Sequence, residues 1–551
     1  MNIKGTQIYH RYNIRQLFLI YIIGEMIMSC SPSSTIAAIY YLRFPFFLKP
    51  DQMEAVEEWI SNNLRGSIVY SSGTGKTEIA FECARRAIDI TEKEHSSMCP
   101  SFNILYLVPR IVLIDQNLKR LQDYGIPEDR IGIYFGERKE IREITISTYQ
   151  SIIHNLNLIR RSNMIIFDEV HLVSDTARSF SKIFDVVVED RNKAILGLTA
   201  TLDYDKDYSN KYHTIMSVLP PIKKYTIKDA VNDDRLARPV IIPMKVNLTD
   251  KEQKLYDNCS IKIKNISKRF KRYDAKAMSL LLKKGGFVSG MAKAWFLNVR
   301  KRKALLCCAE NKLSAAVDLI LRKHPYERVM VFSETLDSIN NLKVKLEYEG
   351  IKSKVIDSRI NSIVRQKILN LWGRDFYPLL SVHTLEIGYD MPQVGTEIIL
   401  ATTSNMNQVI QRIGRVIRKH QGKDSALIYV IYVSDTKDDN ILGVVKKAIE
   451  TAAEEVTGRK NIATKKLRRR IKRAYNMLEM NSDEPIIFVK DHDRKLFLVR
   501  SSREKNKFYD VDAQAKTCSC PDFNFRFLKC KHILATEFAV ASSSSLSRIV
   551  M

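Results

Sequence analysis

The stretch SIVYSSGTGKTEIAFECARRAIDI, from Ser67 to Ile90, restricts the fold more than any other part of this chain. A short β-branched run, a loop with two glycines and a helix-period pattern follow one another without a gap. Ile79, Ala80, Cys83, Ala84, Ala87 and Ile88 share one face of that helix, with Glu78, Glu82, Arg85 and Asp89 off it. A strand that feeds a helix through so short a connection belongs to a parallel α/β sheet.

The alternation then repeats. NILYLV, EITIST, NMIIFD and AILGLT extend the first sheet, and RVMVFSET, SKVIDS, LLSVHT, EIILAT and ALIYVIYV build a second unit of similar size. Between about 246 and 304 the strand signal fades, and KIKNISKRFKRYDAKAMSLLLKK reads as a basic helical connector. The expected organisation is an N-terminal extension (1–46), a first α/β lobe (47–225), a connector (226–304), a second lobe (305–440), a basic helical segment (441–480), a metal-binding module (484–540) and a tail (541–551).

Lys and Arg outnumber Asp and Glu by 88 to 62, a net charge of +26, which favours a polyanionic partner, in the first place nucleic acid. No run reaches the roughly 18 apolar residues of a membrane span, so no membrane partner is expected. Six of the nine cysteines have no framework spacing, as in a reducing compartment: the cytoplasm, or the nucleus of a eukaryotic cell. Lys4, Arg11, Arg15, the run LFLIYII and SCSPSS imitate a signal peptide, but the run breaks after seven residues at Gly24 and Glu25. A small buried element, or a start at Met26 or Met28, is the expectation. Residues 459–473 hold Arg459, Lys460, Lys465, Lys466, Arg468, Arg469, Arg470, Lys472 and Arg473 and no acid: a solvated face, a nuclear-targeting signal or a phosphate contact.

The loop YSSGTGKTE supplies converging N–H groups from Ser72, Gly73, Thr74 and Gly75. Lys76 adds a charge for β- and γ-phosphates, and Thr77 a hydroxyl for Mg²⁺. The strict phosphate-loop pattern asks for Gly where Tyr70 stands. About ninety residues later MIIFDEVH runs an apolar strand into Asp168 and Glu169, one carboxylate for the metal and one to polarise water.

With these two elements the chain resembles superfamily II helicases and translocases of the DExH kind, motors with two RecA-like lobes, over about residues 47–435. The resemblance implies that Gln52 reads adenine and that LVPRIVLIDQ and ISTYQS grip a nucleic-acid backbone. It further implies that Thr199 and Thr201 of LTATL couple hydrolysis to strand contact, and that Gly388 and Asp390 belong to the second lobe's nucleotide motif, where Ile387 replaces the usual acid or Arg. In QRIGRVIR, Gln411, Arg415 and Arg418 recur at helical spacing and can reach the γ-phosphate from across the cleft. VNLTDKEQKLYD and ENKLSAAVDLI resemble the lobe junction of XPB-like DNA translocases. Only 18 residues separate Pro392 from Gln411, too few for a long strand-separating hairpin.

Near the end, CSCPDFNFRFLKCKH places Cys518, Cys520, Cys530 and His532 as CxC–x9–CxH, a tetrahedral Zn²⁺ set with no open position, hence structural rather than catalytic. The spacing after two expected strands resembles the SWIM zinc finger, a nucleic-acid or protein interaction module. Lys516, Arg526, Lys529 and Lys531 around it form an expected basic surface. The expected fold is therefore α/β, two tandem RecA-like parallel-sheet lobes, a helical connector and a small α+β zinc module. The expected function is an ATP- and Mg²⁺-dependent helicase or translocase acting on DNA in preference to RNA. An RNA helicase and a non-catalytic scaffold stay open as rivals.

Overall fold

The computed structural model describes residues 37–94, 102–173, 178–190, 193–200, 213–270, 274–357, 359–382, 393–401, 406–450, 462–480, 485–491, 495–541 (except 503, 505 and 527) and 549–550. Residues 1–36, Thr201, Gly388, Asp390, Arg459 and Lys460 lie outside them, as do the side chains of Lys465, Lys466 and Arg468.

ILYLV, MIIFD and AILGLT are buried along almost their whole length, as strands covered by helices on both faces must be. They belong to a first sheet of β1 (Arg65–Tyr70), β2 (Ile104–Val108), β3 (Ile131–Phe135), β4 (Arg138–Lys139), β5 (Ile144–Thr148), β6 (Met164–Asp168), β7 (Ala194–Thr199) and β8 (Pro221–Tyr225). The order is β4-β3-β5-β2-β6-β7-β1-β8, parallel except for the β3–β4 hairpin. Val69 stands beside Thr199 and Asp168 beside Leu198, so β1, β6 and β7 end together at one edge. In an open parallel sheet that carboxyl edge is where ligands bind.

The second sheet comprises β9 (Arg238–Val246), β10 (Val329–Ser333), β11 (Lys354–Ile356), β12 (Pro378–Val382), β13 (Thr396–Ile399) and β14 (Ser425–Val433), all parallel, in the order β11-β12-β10-β13-β14-β9. β9 corrects the expected connector, because residues 238–246 pair along the whole of β14 as an edge strand of the second lobe. The helices Asp250–Ser267, Ala275–Leu282 and Gly286–Cys307 follow, with a small core of their own around Ile263, Met278, Ala292 and Trp295.

A third, mainly antiparallel sheet holds β15 (Ile487–Asp491), β16 (Leu496–Arg500), β17 (Phe508–Asp512), β18 (Thr517–Cys518) and, parallel to β15, β19 (Ile549–Val550) from the expected tail. Its helix Lys531–Ala541 and the basic helix Ile462–Met480 pack on each other, and the latter packs on Pro50–Ser61 of the first lobe. A continuous core accordingly runs from Trp59 and Ile79 to Tyr475, Leu534 and Phe538. The basic helix buries Ile471, Ala474 and Leu478 and leaves Arg469, Lys472 and Arg473 exposed. Arg470 turns inward, with Nε 3.4 Å from Asp522. Among the described residues no helix is long and apolar enough to cross a membrane.

Candidate ATP cleft and zinc centre

Gly73 and Gly75 both take φ +82°, a left-handed conformation that L side chains resist and that lets the loop fold back on the end of β1. Thr74 is fully buried and its hydroxyl donates to the Ser71 carbonyl at 2.7 Å. Lys76 opens the helix Lys76–Glu94 and donates to the Tyr70 carbonyl at 3.0 Å, so its ammonium lies at the mouth of β1. Gln52 lies beneath the loop: its Oε1 accepts from Lys49 N–H at 2.8 Å, and its Nε2 donates to the carbonyls of Thr74 and Gly75 at 3.3 and 3.2 Å.

Asp168 and Glu169 leave β6, which β7 separates from β1. Burial pushes the Asp168 carboxyl up to about 7, Glu169 beside it adds to the rise, and Lys76 opposes it. A half-buried carboxylate with a raised pKa, at the same sheet edge as a phosphate loop followed by Thr77, fits a divalent cation. Glu169 has φ 51°, left-handed for a non-glycine residue. Its Oε2 lies 3.4 Å from His171 Nδ1, which in turn is 2.9 Å from Thr199 Oγ1 at the end of β7. The DEVH and LTATL motifs are thus joined by side chains.

The second lobe closes the site through the helix Met406–Val416. Gln411 and Arg415 are buried. A Cβ on Gly414 would stand 2.8 Å from Ser72 Cβ, and one on Gly73 would stand 3.0 Å from Arg418 Nε. The structure therefore brings Gln52, Ser72, Gly73, Thr74, Gly75, Lys76, Gly414 and Arg418 into one cleft.

One contributor was missed from sequence. Arg235 donates to the Thr74 carbonyl and pairs with buried Asp51, and its guanidinium lies 5.6 Å from the Tyr225 ring centroid. Arg235 comes 159 residues after Lys76 in NDDRLARP and belongs to no local pattern, so only the docking of β8 against β1 reveals it.

At the far end of the chain Cys518, Cys520, Cys530 and His532 are all buried, with their donor atoms within 4.8 Å of one another. Cys518 ends β18, Cys520 precedes the helix Pro521–Arg526, and Cys530 and His532 stand at the start of Lys531–Ala541. His532 Nδ1 lies 3.9 Å from Cys518 Sγ and 3.8 Å from Cys530 Sγ, against about 3.6 Å for an S–N edge of a tetrahedral zinc site. The backbone N–H of Cys520 points at Cys518 Sγ at 3.4 Å, the usual support of a thiolate ligand. These donors fit zinc and close its shell. The expected basic surface is smaller than the sequence suggested: Lys529 turns inward to Glu57 at 2.8 Å, and Arg526 pairs with Asp522 at 2.8 Å.

Two parallel sheets in tandem, a phosphate loop on one and an arginine-bearing helix of the other closing on it, define the two-lobed RecA-like class. Residues 46–204 match the family described as type III restriction enzyme, res subunit; residues 311–420 match the helicase conserved C-terminal domain; residues 509–541 match the SWIM zinc finger. The chain is 25% identical over 387 residues to the DNA 3'-5' helicase XPB of Mycobacterium tuberculosis, covering 68% of this chain and 58% of that protein. It is 26% identical over 399 residues to the DNA 3'-5' translocase XPB2 of Sulfurisphaera tokodaii, covering 70% and 81%. The Pyrococcus furiosus Hef helicase domain superposes with a TM-score of 0.50 at 15% identity, over 72% of this chain and 99% of that one, which bears on the fold alone. The chain thus carries matches to two helicase domains and to a SWIM zinc finger, and over its two lobes it is similar to XPB-type DNA helicases and translocases.

Proposed function

We propose that this protein is a DNA-stimulated ATPase that moves along DNA. The observation that carries the reading is the cleft itself: a phosphate loop with Lys76, the half-buried acids Asp168 and Glu169 at the end of β6, and Arg418 from the other lobe against Gly73. Ser72, Gly73, Thr74 and Gly75 present N–H groups to the phosphates, Lys76 neutralises them, and Gln52 and Arg235 hold the loop from the adenine side. Thr77 and Asp168 would hold Mg²⁺, whose charge offsets that of the phosphates and of the Asp168 carboxylate. Glu169 orients the attacking water, with His171 and Thr199 behind it. Gln411, Arg415 and Arg418 complete the site only when the lobes meet, so hydrolysis and lobe movement are linked.

DNA is the expected track because the relatives' names specify it and because a chain of net charge +26 suits a phosphate backbone. Cys518, Cys520, Cys530 and His532 hold zinc as a structural centre, and the module it orders lends the first lobe a further surface for DNA or for a protein. The test is the ATPase rate with single-stranded DNA, duplex DNA, forked DNA and RNA in parallel. DNA should stimulate turnover at least about tenfold more than RNA, and Lys76→Ala and Glu169→Gln should each lower it by about a hundredfold or more. Full activity in either variant would sink the reading, and stronger stimulation by RNA would reassign the track.

A further inference from the structure

The helix Lys76–Glu94 carries a charged face that the sequence leaves off its apolar side, yet Glu82, Arg85 and Arg86 are buried. The zinc module reaches this cluster through Arg86. Arg86 Nη1 meets Glu537 Oε1 at 2.8 Å, Arg86 Nε meets Glu82 Oε1 at 2.9 Å, and Arg85 Nη2 meets Glu82 Oε1 at 2.6 Å. Lys529 Nζ meets Glu57 Oε1 at 2.8 Å and Glu537 Oε1 at 3.1 Å. The three carboxylates of Glu57, Glu82 and Glu537 face the three cations Arg85, Arg86 and Lys529, so the cluster is neutral and can be buried. Against the desolvation of full burial, Arg86 and Lys529 hold the Glu537 carboxyl below the usual carboxylate range.

Each end of this cluster is tied to a functional centre. Lys529 immediately precedes Cys530, and Glu537 lies five residues after His532 on the same helix, whose Leu534 and Phe538 enter the shared core. On the other side, Glu57 lies five residues after Gln52 in Pro50–Ser61, and Arg86 lies on the helix that Lys76 opens. Lys49 adds a second clasp, its Nζ 2.5 Å from the Tyr475 hydroxyl of the basic helix. A module tethered only to choose a track would need none of this.

We propose that Glu57, Arg86, Lys529 and Glu537 are positioning residues that brace the two helices behind the ATP cleft against the zinc module, so that occupancy of the Cys518/Cys520/Cys530/His532 site sets how firmly the cleft holds nucleotide. The proposal rests on the ATP reading of the cleft, and its test separates the two. The full-length protein is stripped of zinc with a chelator, freed of chelator and compared with loaded protein by amide hydrogen exchange without nucleotide. Stripping should raise exchange in residues 50–61 and 76–90 as well as in the module. A change confined to residues 485–541 would overturn the coupling whatever the cleft binds. With Mg²⁺ restored, a fluorescent ATP analogue should bind the stripped protein about tenfold more weakly than the loaded one, and equal binding would overturn it too. If the loaded wild type bound no ATP analogue, the ATP reading would fail while the exchange result still judged the brace. Glu537→Gln should retain zinc and raise KM for ATP about tenfold with kcat within about twofold, because it removes the charge that links buried Arg86 and Lys529 across the brace while Glu82 still holds Arg86 on its own helix. An unchanged KM in this variant would count against the brace, and exchange in the wild type decides if the variant does not fold.

Discussion

Glu397 shows what a single buried carboxyl does to this protein. It lies on β13 with both oxygens buried, and burial pushes it up to about 7, with Arg412 pulling the other way. An unfolded chain ionises the same group near about 4.3, so between these values the folded state keeps a proton that the unfolded state has lost. A raised folded pKa stabilises below the unfolded value, and that contribution is lost as pH rises towards 7. Glu397→Gln cannot ionise and escapes the loss. Relative to wild type its stability should rise by up to about 3 kcal/mol between pH 4.5 and pH 8, as read from urea midpoints. Parallel pH profiles for the two proteins would refute the assignment. Glu397, like Arg235, carries no signal in the sequence, because neither belongs to a local pattern and each acquires its character only from what the fold lays over it. Lys76, Asp168 and Glu169 were legible for the opposite reason: their chemistry is set by a strand end and a turn a few residues away.

At the scale of elements, the buried strands NILYLV, NMIIFD and AILGLT were legible, while β3, β8 and β9 were not. RPVIIPMKV falls within the expected connector (226–304), and its Pro239 and Pro243 are unsuited to a central strand. As β9 residues 238–246 sit at the edge beside β14, where a proline can turn its missing N–H away from the ladder. The helix Lys76–Glu94 buries the apolar face expected from its sequence, but Arg86 on its charged side pairs with Glu537 of a module more than 400 residues away in sequence. Periodicity reports that a face is polar; it does not report what will be laid on it. The helix Met406–Val416 is the element whose function is easiest to isolate, because Arg415 belongs to the second lobe while the phosphate loop belongs to the first. Arg415→Ala should cut DNA-stimulated hydrolysis by about a thousandfold and leave binding of a fluorescent ATP analogue within about threefold. Loss of both together would instead mean that Arg415 holds the ground state.

At the scale of the whole molecule, the question is whether the proposed motor separates strands. Unstacking and unpairing DNA costs on average about 1.4 kcal/mol per base-pair step, so a motor that unwinds processively must hold the parted strands away from each other as well as advance. The sequence leaves 18 residues between Pro392 and Gln411. β13 fills Thr396–Ile399 of these, and the arginine helix begins at Met406, so only residues 400–405 join the two. That is too short for an inserted hairpin to act as a wedge at this point. The C-terminal module is no substitute, since Lys529 and Glu537 bind it to the outer side of the helices that carry Gln52 and Lys76. Two lobes that meet where Arg418 approaches Gly73 would, in the proposed motor, suffice for stepping along a backbone, because stepping needs only grips that alternate with lobe closure. The expected behaviour is displacement of a triplex-forming oligonucleotide from duplex DNA in an ATP-dependent manner, at ATP concentrations where a long blunt duplex is left intact. Efficient release of strands from that duplex without any loading factor would contradict it. A failure to displace the triplex, with ATPase stimulated by DNA, would leave a DNA-dependent ATPase that does not translocate.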